Sequence, residues 1–512
     1  MDIFSFSMLI LREKDKLYNF IPIFTKNLIM EQTIGGVIGR KYEQNLIRNY
    51  YDSEKAELVA IYGRRRVGKT FLVKKMLGTE FAFSFTGMYE TPRSKQLKEF
   101  KRNLERYSGG KFNNPKDWFE AFNMLRDYLD TLNQKKVVVF LDELPWMDTP
   151  KGNFMGAFGE FWNDWGSSKA GFKLYVCGSA TTWMISKFIG DKGALYGRVC
   201  RPIHLAPFTL RETEQFLREI KEMKLSRKQI LDIYMIMGGI PYYLDMLIKG
   251  HPVNRSIDDL FFREGAPLKE EFDFLFRSLF KESKIYRRVV ETLADKMKGM
   301  SRQEILESLK LQEGGNLTEV LDNLVKCDFI RKYTHIGKEE KDAQYQLIDC
   351  FSFFHLRFVS TNSGQDERFW SNMEGRGAKN AWSGYAFEIV CLLHLRQIKE
   401  GLGISGVLSN AHSWASKSFI DEQGQQWDGG QIDLLIDRAD NVINICEMKY
   451  VSDTFSISSE YEMKLRKRQT LFQKVTKTKK VLQIVFVTTY GIAHNAASHI
   501  VQNDLTMDNL FV

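Results

Sequence analysis

Short apolar runs alternate with longer segments of helical period along the first part of the chain. Leu58–Tyr62, Phe81–Thr86, Val137–Leu141, Phe172–Gly178 and Ile203–Leu205 predict strands. Runs apolar at nearly every position suit strands buried on both faces of a parallel sheet. Between them, Glu43–Tyr50, Phe71–Leu77, Ser94–Tyr107, Trp118–Leu132 and Thr182–Phe188 carry helical spacing. The alternation predicts an α/β fold around a parallel sheet. From Pro207 to Leu279 the pattern is helical. It opens with a Thr209-x-x-Glu212 capping box and is broken at Gly238-Gly239-Ile240-Pro241. Tyr286–Lys296, Ser301–Leu309 and Leu317–Lys326 then predict three helices, the last after a Gly314-Gly315-Asn316 turn. Phe329–His335 and Ala343–Leu347 predict two short strands, completing the order of a winged helix-turn-helix. Phe351–Val359 predicts one more helix, and Ser360–Asn372 reads as a polar linker. Gly384–Leu395 predicts a helix, and Gln431–Asp437, Val442–Lys449 and Val481–Thr488 predict strands of a second α/β unit. The expected division is an N-terminal extension 1–29, an α/β core 30–206, a helical lid 207–281, a winged helix 282–359, a linker 360–380 and a second α/β unit 381–512.

The chemistry concentrates at Gly63-Arg64-Arg65-Arg66-Val67-Gly68-Lys69-Thr70, between a predicted strand and the helix entered by Phe71. The spacing is GxxxxGK[ST], the P-loop. Its glycines let successive N–H groups converge on a phosphate at a positive helix end. Residues 63–71 are therefore expected to cradle ATP, with Lys69 on the β and γ phosphates and Thr70 on Mg²⁺. The strand Val137–Leu141 ends in Asp142-Glu143, which suits Asp142 for the metal and Glu143 for the attacking water. Ser179, at the tip of the neighbouring strand, is positioned to sense the γ-phosphate or to cap the next helix. Arg198, freed by Gly197, is a candidate for the charge that builds on the transferred phosphoryl group, in its own subunit or in a neighbour; the alternative is a structural ion pair. Arg40 stands between a ribose or adenine contact and a solvated charge.

A second constellation lies near the C-terminus. Glu388 is the one acid on an apolar helix. Asp433 lies within a strand, and fourteen residues later Glu447-Met448-Lys449 places Glu447 and Lys449 on one strand face. Glu388, Asp433 and Glu447 could share a divalent cation, with Lys449 beside them for water or a phosphate; the alternative is a hairpin acid and a surface ion pair. Tyr461–Lys480 carries eight Lys and Arg residues with few acids, a surface suited to a phosphate backbone or to solvent.

Composition changes this picture little. The 512 residues carry a net charge of +9, which permits nucleic-acid contact without requiring it. None of the six Cys forms a CxxC pair, so they read as buried thiols in a reducing compartment. No apolar stretch approaches the length of a membrane helix, so the expectation is a cytoplasmic protein without membrane contact. Residues 1–29 lack periodicity, and Met30 is an alternative start.

With these residues in view, the chain from Ile38 onward resembles a prokaryotic family of AAA+-like P-loop ATPases of the archaeal, STAND-related branch. Their C-terminal region is a DUF234-type PD-(D/E)xK nuclease-like domain. The resemblance rests on Gly63–Thr70, Val137–Glu143, Gly178-Ser179-Ala180, Gly197-Arg198, Gly239-Ile240-Pro241, and Glu388, Asp433 and Glu447-x-Lys449. It implies ATP hydrolysis with Mg²⁺, a homo-oligomer or protein partner, and a restriction-endonuclease-like C-terminal fold. The expected function is an ATPase whose nucleotide state controls a DNA-directed C-terminal unit. The alternative is an ATP-switched scaffold with a silent nuclease-like fold. A transcription factor is disfavoured, because the third predicted helix carries Glu319 and Asp322 against Lys326.

Overall fold

The computed structural model describes residues 36–512, apart from 191–194, 196, 200–201, 281, 313–315, 363 and 365. The expected extension 1–29, Cys200 and Gly314-Gly315 lie outside the described residues.

Five parallel strands form the first sheet: β1 (Glu57–Tyr62), β2 (Phe81–Thr86), β3 (Val137–Asp142), β4 (Phe172–Gly178) and β5 (Ile203–His204), in the order β2-β3-β4-β1-β5. All seven residues of β4 are buried, as expected for an apolar run covered on both faces. Phe100, Trp118, Phe122, Phe154 and Phe158 build an aromatic core on one face. Ile47, Val73 and Tyr175 belong to the core on the other.

That second core continues without a break into the rest of the molecule. The helix Arg227–Met237 buries seven residues in it and ends at Gly238 with φ 64°, a conformation glycine supplies without strain. A Cβ on Gly239 would stand 2.2 Å from the Phe208 carbonyl oxygen, so only glycine permits the Phe208 N–H to bond the Gly239 oxygen at 2.8 Å. The predicted capping box at Thr209/Glu212 is formed, and Ser301/Glu304 forms a second.

Three helices, Ser283–Lys296, Arg302–Ser308 and Asn316–Lys326, accompany a small antiparallel sheet of β6 (Met300–Ser301, between the first two helices), β7 (Ile330–Tyr333) and β8 (Gln344–Leu347), in the order β6-β8-β7. This hairpin unit leads into the buried turn Cys350–Phe354. The stretch expected as a linker is partly structured: Phe369–Asn372 is helical and Trp370 is buried against Phe354 and Phe358.

The last unit is a mixed sheet of β9 (Ser409–Ser416), β12 (Gly430–Arg438), β13 (Val442–Lys449), β14 (Val481–Thr488) and β15 (Val501–Thr506), after the helix Gly377–Leu393. A small hairpin, β10 (Phe419–Ile420) with β11 (Gln426–Trp427), follows β9. Strands β9, β12 and β13 pair antiparallel; β13, β14 and β15 pair parallel. Residues 507–511 return to the lid, where Arg227 bonds Asp508 at 2.9 Å and lies over the Phe511 ring. The described cysteines 177, 327, 350, 391 and 446 are buried and free. Among the described residues no helix is long and apolar enough to cross a membrane.

Candidate nucleotide site and C-terminal carboxylate cleft

The turn from β1 into the helix Lys69–Leu77 is set by two glycines. Gly63 has φ 146°, and a Cβ there would stand 2.3 Å from the Leu205 carbonyl oxygen; Gly68 caps the helix at φ 93°. Between them the main chain folds around the ammonium of Lys69, which is buried and donates to the Gly63 and Arg64 oxygens at 2.9 Å each. Burial lowers the Lys69 pKa, against the opposing pull of Glu143 and Asp142.

Acidic partners come from β3, as its sequence predicts. Thr70 Oγ1 donates to Asp142 Oδ2 at 2.9 Å. Burial, and then the neighbouring Glu143, raise the pKa of Asp142. Glu143 has φ 47°, and its carboxylate accepts the Ser179 N–H at 3.1 Å and the Ser179 hydroxyl at 2.7 and 2.9 Å. Ser179 thus touches the expected water-activating carboxylate directly.

A cavity of about 470 Å³ opens over this turn. Its lining combines Arg65, Lys69, Thr70 and Glu143 with the apolar Val37, Ile38, Phe208, Phe216, Ile220 and Pro241. Arg40 also lines it, buried above the Phe208 ring at 4.7 Å, with its N–H on Glu212 Oε1 at 2.7 Å. Arg40 is therefore not a solvated surface charge. Arg66, Val67, Gly68 and Phe71 line the cavity too.

The three P-loop arginines separate. Arg65 faces the cavity. Arg66 makes a two-pronged pair with Glu271 of the lid, at 2.9 and 3.1 Å, and lies over Tyr242. Arg64 turns away from the cavity. Its side chain is fully buried, over the Phe329 ring, with Nη1 on Asp349 Oδ1 at 2.5 Å. Asp349 Oδ2 in turn accepts the Ser352 N–H at 2.9 Å. Arg198 is exposed and does not line the cavity. The apolar cavity lining and the Arg64–Asp349 pair escaped sequence reasoning. Their residues lie 285 positions apart in the case of the pair, and no motif links them.

The second constellation is only partly gathered. The β12–β13 ladder ends at the pair Leu434–Cys446, next to Asp433 and Glu447, and β12 is irregular between Ile432 and Leu435. Glu447 is buried and internally satisfied: Oε2 accepts the Tyr461 hydroxyl at 2.9 Å, Oε1 pairs with Arg468, and Lys449 Nζ is 3.4 Å from Oε2. Asp433 Oδ1 accepts Gln431 Nε2 at 2.6 Å. Glu388 lines a hollow with Asp433, and burial, followed by repulsion from Asp433, pushes its pKa up to about 8. Among the described residues, no group of three or more His, Cys, Asp or Glu side chains is disposed for a metal ion. The expected three-carboxylate set is therefore not assembled as ligands. On the basic helix Ser459–Thr476, Lys464 and Arg466 pair with Glu460 and Glu462 one turn away.

A parallel sheet carrying a P-loop after β1, with an acidic pair at the end of β3 and β4 between the two strands, defines a P-loop nucleoside triphosphatase. Residues 38–247 match the family described as an ATPase domain predominantly from Archaea. Two proteins of Methanocaldococcus jannaschii are similar. The uncharacterized protein MJECL04 is 27% identical over 357 residues, 69% of this chain and 76% of that one. The uncharacterized ATP-binding protein MJ0423 is 48% identical over 40 residues, 8% of this chain and 68% of that one. Among solved structures, the Walker-type ATPase paby2304 of Pyrococcus abyssi superposes with a TM-score of 0.45 at 17% identity, covering 63% of this chain and 96% of that one.

Proposed function

We propose that the chain is a Mg²⁺-dependent, AAA+-like ATPase whose nucleotide state governs a DNA-directed, nuclease-like C-terminal unit. The observation that carries the first half is the P-loop cavity, whose lining joins the buried Lys69 to a set of apolar side chains. The residues fit both ligands. Asp142 is a buried carboxylate, hydrogen-bonded to Thr70 and short of a cation; the cavity is of a size for a nucleotide. When bound, Mg²⁺ would bridge phosphate oxygens and neutralise charge that builds during transfer. Thr70 and Asp142 would hold it, directly or through water. Lys69 would leave its two carbonyl partners for the phosphates. Glu143 would turn from Ser179 to orient water, while Ser179 reads the γ-phosphate. Arg198, exposed, is free to reach the site of a second copy, which favours a homo-oligomer.

The second half is supported by the routes leaving the P-loop. Arg66 reaches the lid, and Arg64 reaches the segment that joins the three-helix, winged-helix-like unit to the C-terminal half. The C-terminal strand order, with Asp433 and Glu447 on the adjacent strands β12 and β13 and Lys449 beside Glu447, suits a restriction-endonuclease-like site for Mg²⁺ and a phosphodiester. One observation favours the scaffold reading instead: the oxygens of Glu447 are already taken by the protein's own donors. Both readings place the protein in the cytoplasm.

Hydrolysis of labelled ATP, with and without DNA, tests the ATPase half. Mg²⁺- or Mn²⁺-dependent DNA cleavage by the wild type and by Glu447→Ala tests the second. We expect cleavage that Glu447→Ala abolishes. No cleavage by either, with ATPase intact, would establish the scaffold.

A further inference from the structure

Three arginines stand in a row inside the P-loop, and the fold gives each different neighbours. Arg64 is committed to Asp349, and Arg66 to Glu271 and Tyr242. Arg65 is half-buried and lines the nucleotide cavity. It makes no hydrogen bond, ion pair or ring contact among the described residues. Two neighbours locate its charge. Burial lowers the Lys69 pKa, and Arg65 adds to that as a nearby like charge. Burial and Glu90 raise the pKa of Tyr89, while Arg65 and then Arg277 act against them. The Tyr89 ring packs edge-on to Trp146 at 5.4 Å, and the Trp146 N–H donates to the Glu143 oxygen at 3.0 Å. Arg65 is therefore close both to Lys69 and to the segment that carries Glu143.

Cations that face one cavity repel each other unless an anion lies between them. Arg66 has Glu271, and Arg40 has Glu212 beside it. Lys69 donates only to carbonyl oxygens, and Arg65 has no acceptor of the protein's own among the described residues. A polyanion in the cavity supplies what both lack.

We propose that Arg65 is a catalytic residue acting within its own chain: its guanidinium engages the γ-phosphate and holds the charge that builds there during hydrolysis. This rests on the ATPase reading above and is independent of whether Arg198 reaches a second copy. In the step, the water oxygen bonds to the γ-phosphorus while the bond from that phosphorus to the β–γ bridging oxygen breaks. The electron pair of the broken bond stays on the bridging oxygen, now part of ADP. The proton of the water passes to Glu143 and from there to the released phosphate. Arg65 stays protonated throughout, and its planar fork can span two oxygens as they gain charge. A lysine there would offer a point charge instead.

The test uses the full chain. Single-turnover hydrolysis of labelled ATP is measured beside ATP affinity for the wild type, Arg65→Ala and Arg65→Lys. Arg65→Ala is expected to slow hydrolysis by about 100-fold or more, with ATP affinity within about threefold of the wild type. Arg65→Lys is expected to recover only a minor part of the rate. Affinity for MgADP with aluminium fluoride, a mimic of the transferring phosphoryl group, should fall by a factor similar to the rate. Mixing Arg65→Ala with Lys69→Ala protein is expected to restore nothing, because the guanidinium serves its own chain. An unchanged unfolding midpoint separates the loss from a folding defect, and Arg65→Lys carries the test if the alanine variant does not fold. Hydrolysis at the wild-type rate by the substituted protein overturns the proposal. So does a loss of ATP affinity as large as the loss of rate, which would make Arg65 a contact of the bound substrate alone. Recovery on mixing overturns it too, by placing the action in a second chain. A wild type that does not hydrolyse ATP removes the ATPase reading itself, and the role of Arg65 with it.

Discussion

The nucleotide end and the carboxylate end of the molecule are built on different principles. At the P-loop, main chain makes the site: Gly63 and Gly68 set the turn, and carbonyl oxygens hold Lys69 where a phosphate would replace them. At the C-terminal cleft, side chains make the site, and they are committed to one another: Glu447 to Tyr461 and Arg468, Asp433 to Gln431. A backbone cradle is complete without its ligand. A carboxylate cluster without a cation is repulsive, so it relaxes into internal pairs.

The contrast can be broken at several points. The largest effect is expected at Asp349→Ala, which leaves the fully buried Arg64 guanidinium uncompensated; the loss should be about 3–5 kcal/mol. Chemical denaturation would measure it, and weakened nucleotide binding should accompany it, because Arg64 lies within the P-loop. Lys69→Ala should lower ATP hydrolysis by roughly 100- to 1000-fold with little change in stability. An ordinary turnover rate in that variant would dismantle the nucleotide reading.

His394 sharpens the comparison through pH. Its Nε2 accepts the Leu210 N–H at 3.0 Å and its Nδ1 donates to the Val390 oxygen at 2.8 Å, so the neutral ring caps a lid helix from the C-terminal half. Burial lowers its pKa from 6.5 to about 4. The folded state therefore binds fewer protons than the unfolded chain between those values. Stability from this group is complete above about pH 6.5 and falls as pH drops toward 4, by roughly 3 kcal/mol. His394→Gln should flatten that limb of a stability–pH curve. The smallest effect is expected at Glu447→Ala measured by denaturation. Arg468 there is 28% exposed and can turn to water, so the loss should stay near or below about 1 kcal/mol, with ATPase activity unchanged.

How much of this was legible follows from the same contrast. Strands β2, β4, β13 and β14 run as their apolar patterns predict, and the P-loop, Asp142-Glu143 and Ser179 come together at one sheet edge. Local sequence sufficed because each depends on its own backbone. Strand β9, Ser-Asn-Ala-His-Ser-Trp-Ala-Ser, gave no strand signal, because an edge strand covered by another unit needs little apolar alternation. Strand β15 is equally polar and went unread. The helix carrying Glu388 starts at Gly377, seven residues before the predicted Gly384, because Trp382 packs into a core that local spacing does not reveal. The cavity lining from Val37 to Pro241 and the hollow beside Asp433 are tertiary products, assembled from segments far apart in the chain.

The contact of residues 507–511 with the lid bears on how the protein is made. Arg227 and its helix find Asp508 and Phe511 only once some 280 further residues have been translated, the spacing of that ion pair being 281 positions. Domains tend to fold as they emerge from the ribosome, but here the nascent ATPase half must wait with apolar surface uncovered. Such a chain is a natural client for chaperones during synthesis, and slow translation of its second half would lengthen that exposure.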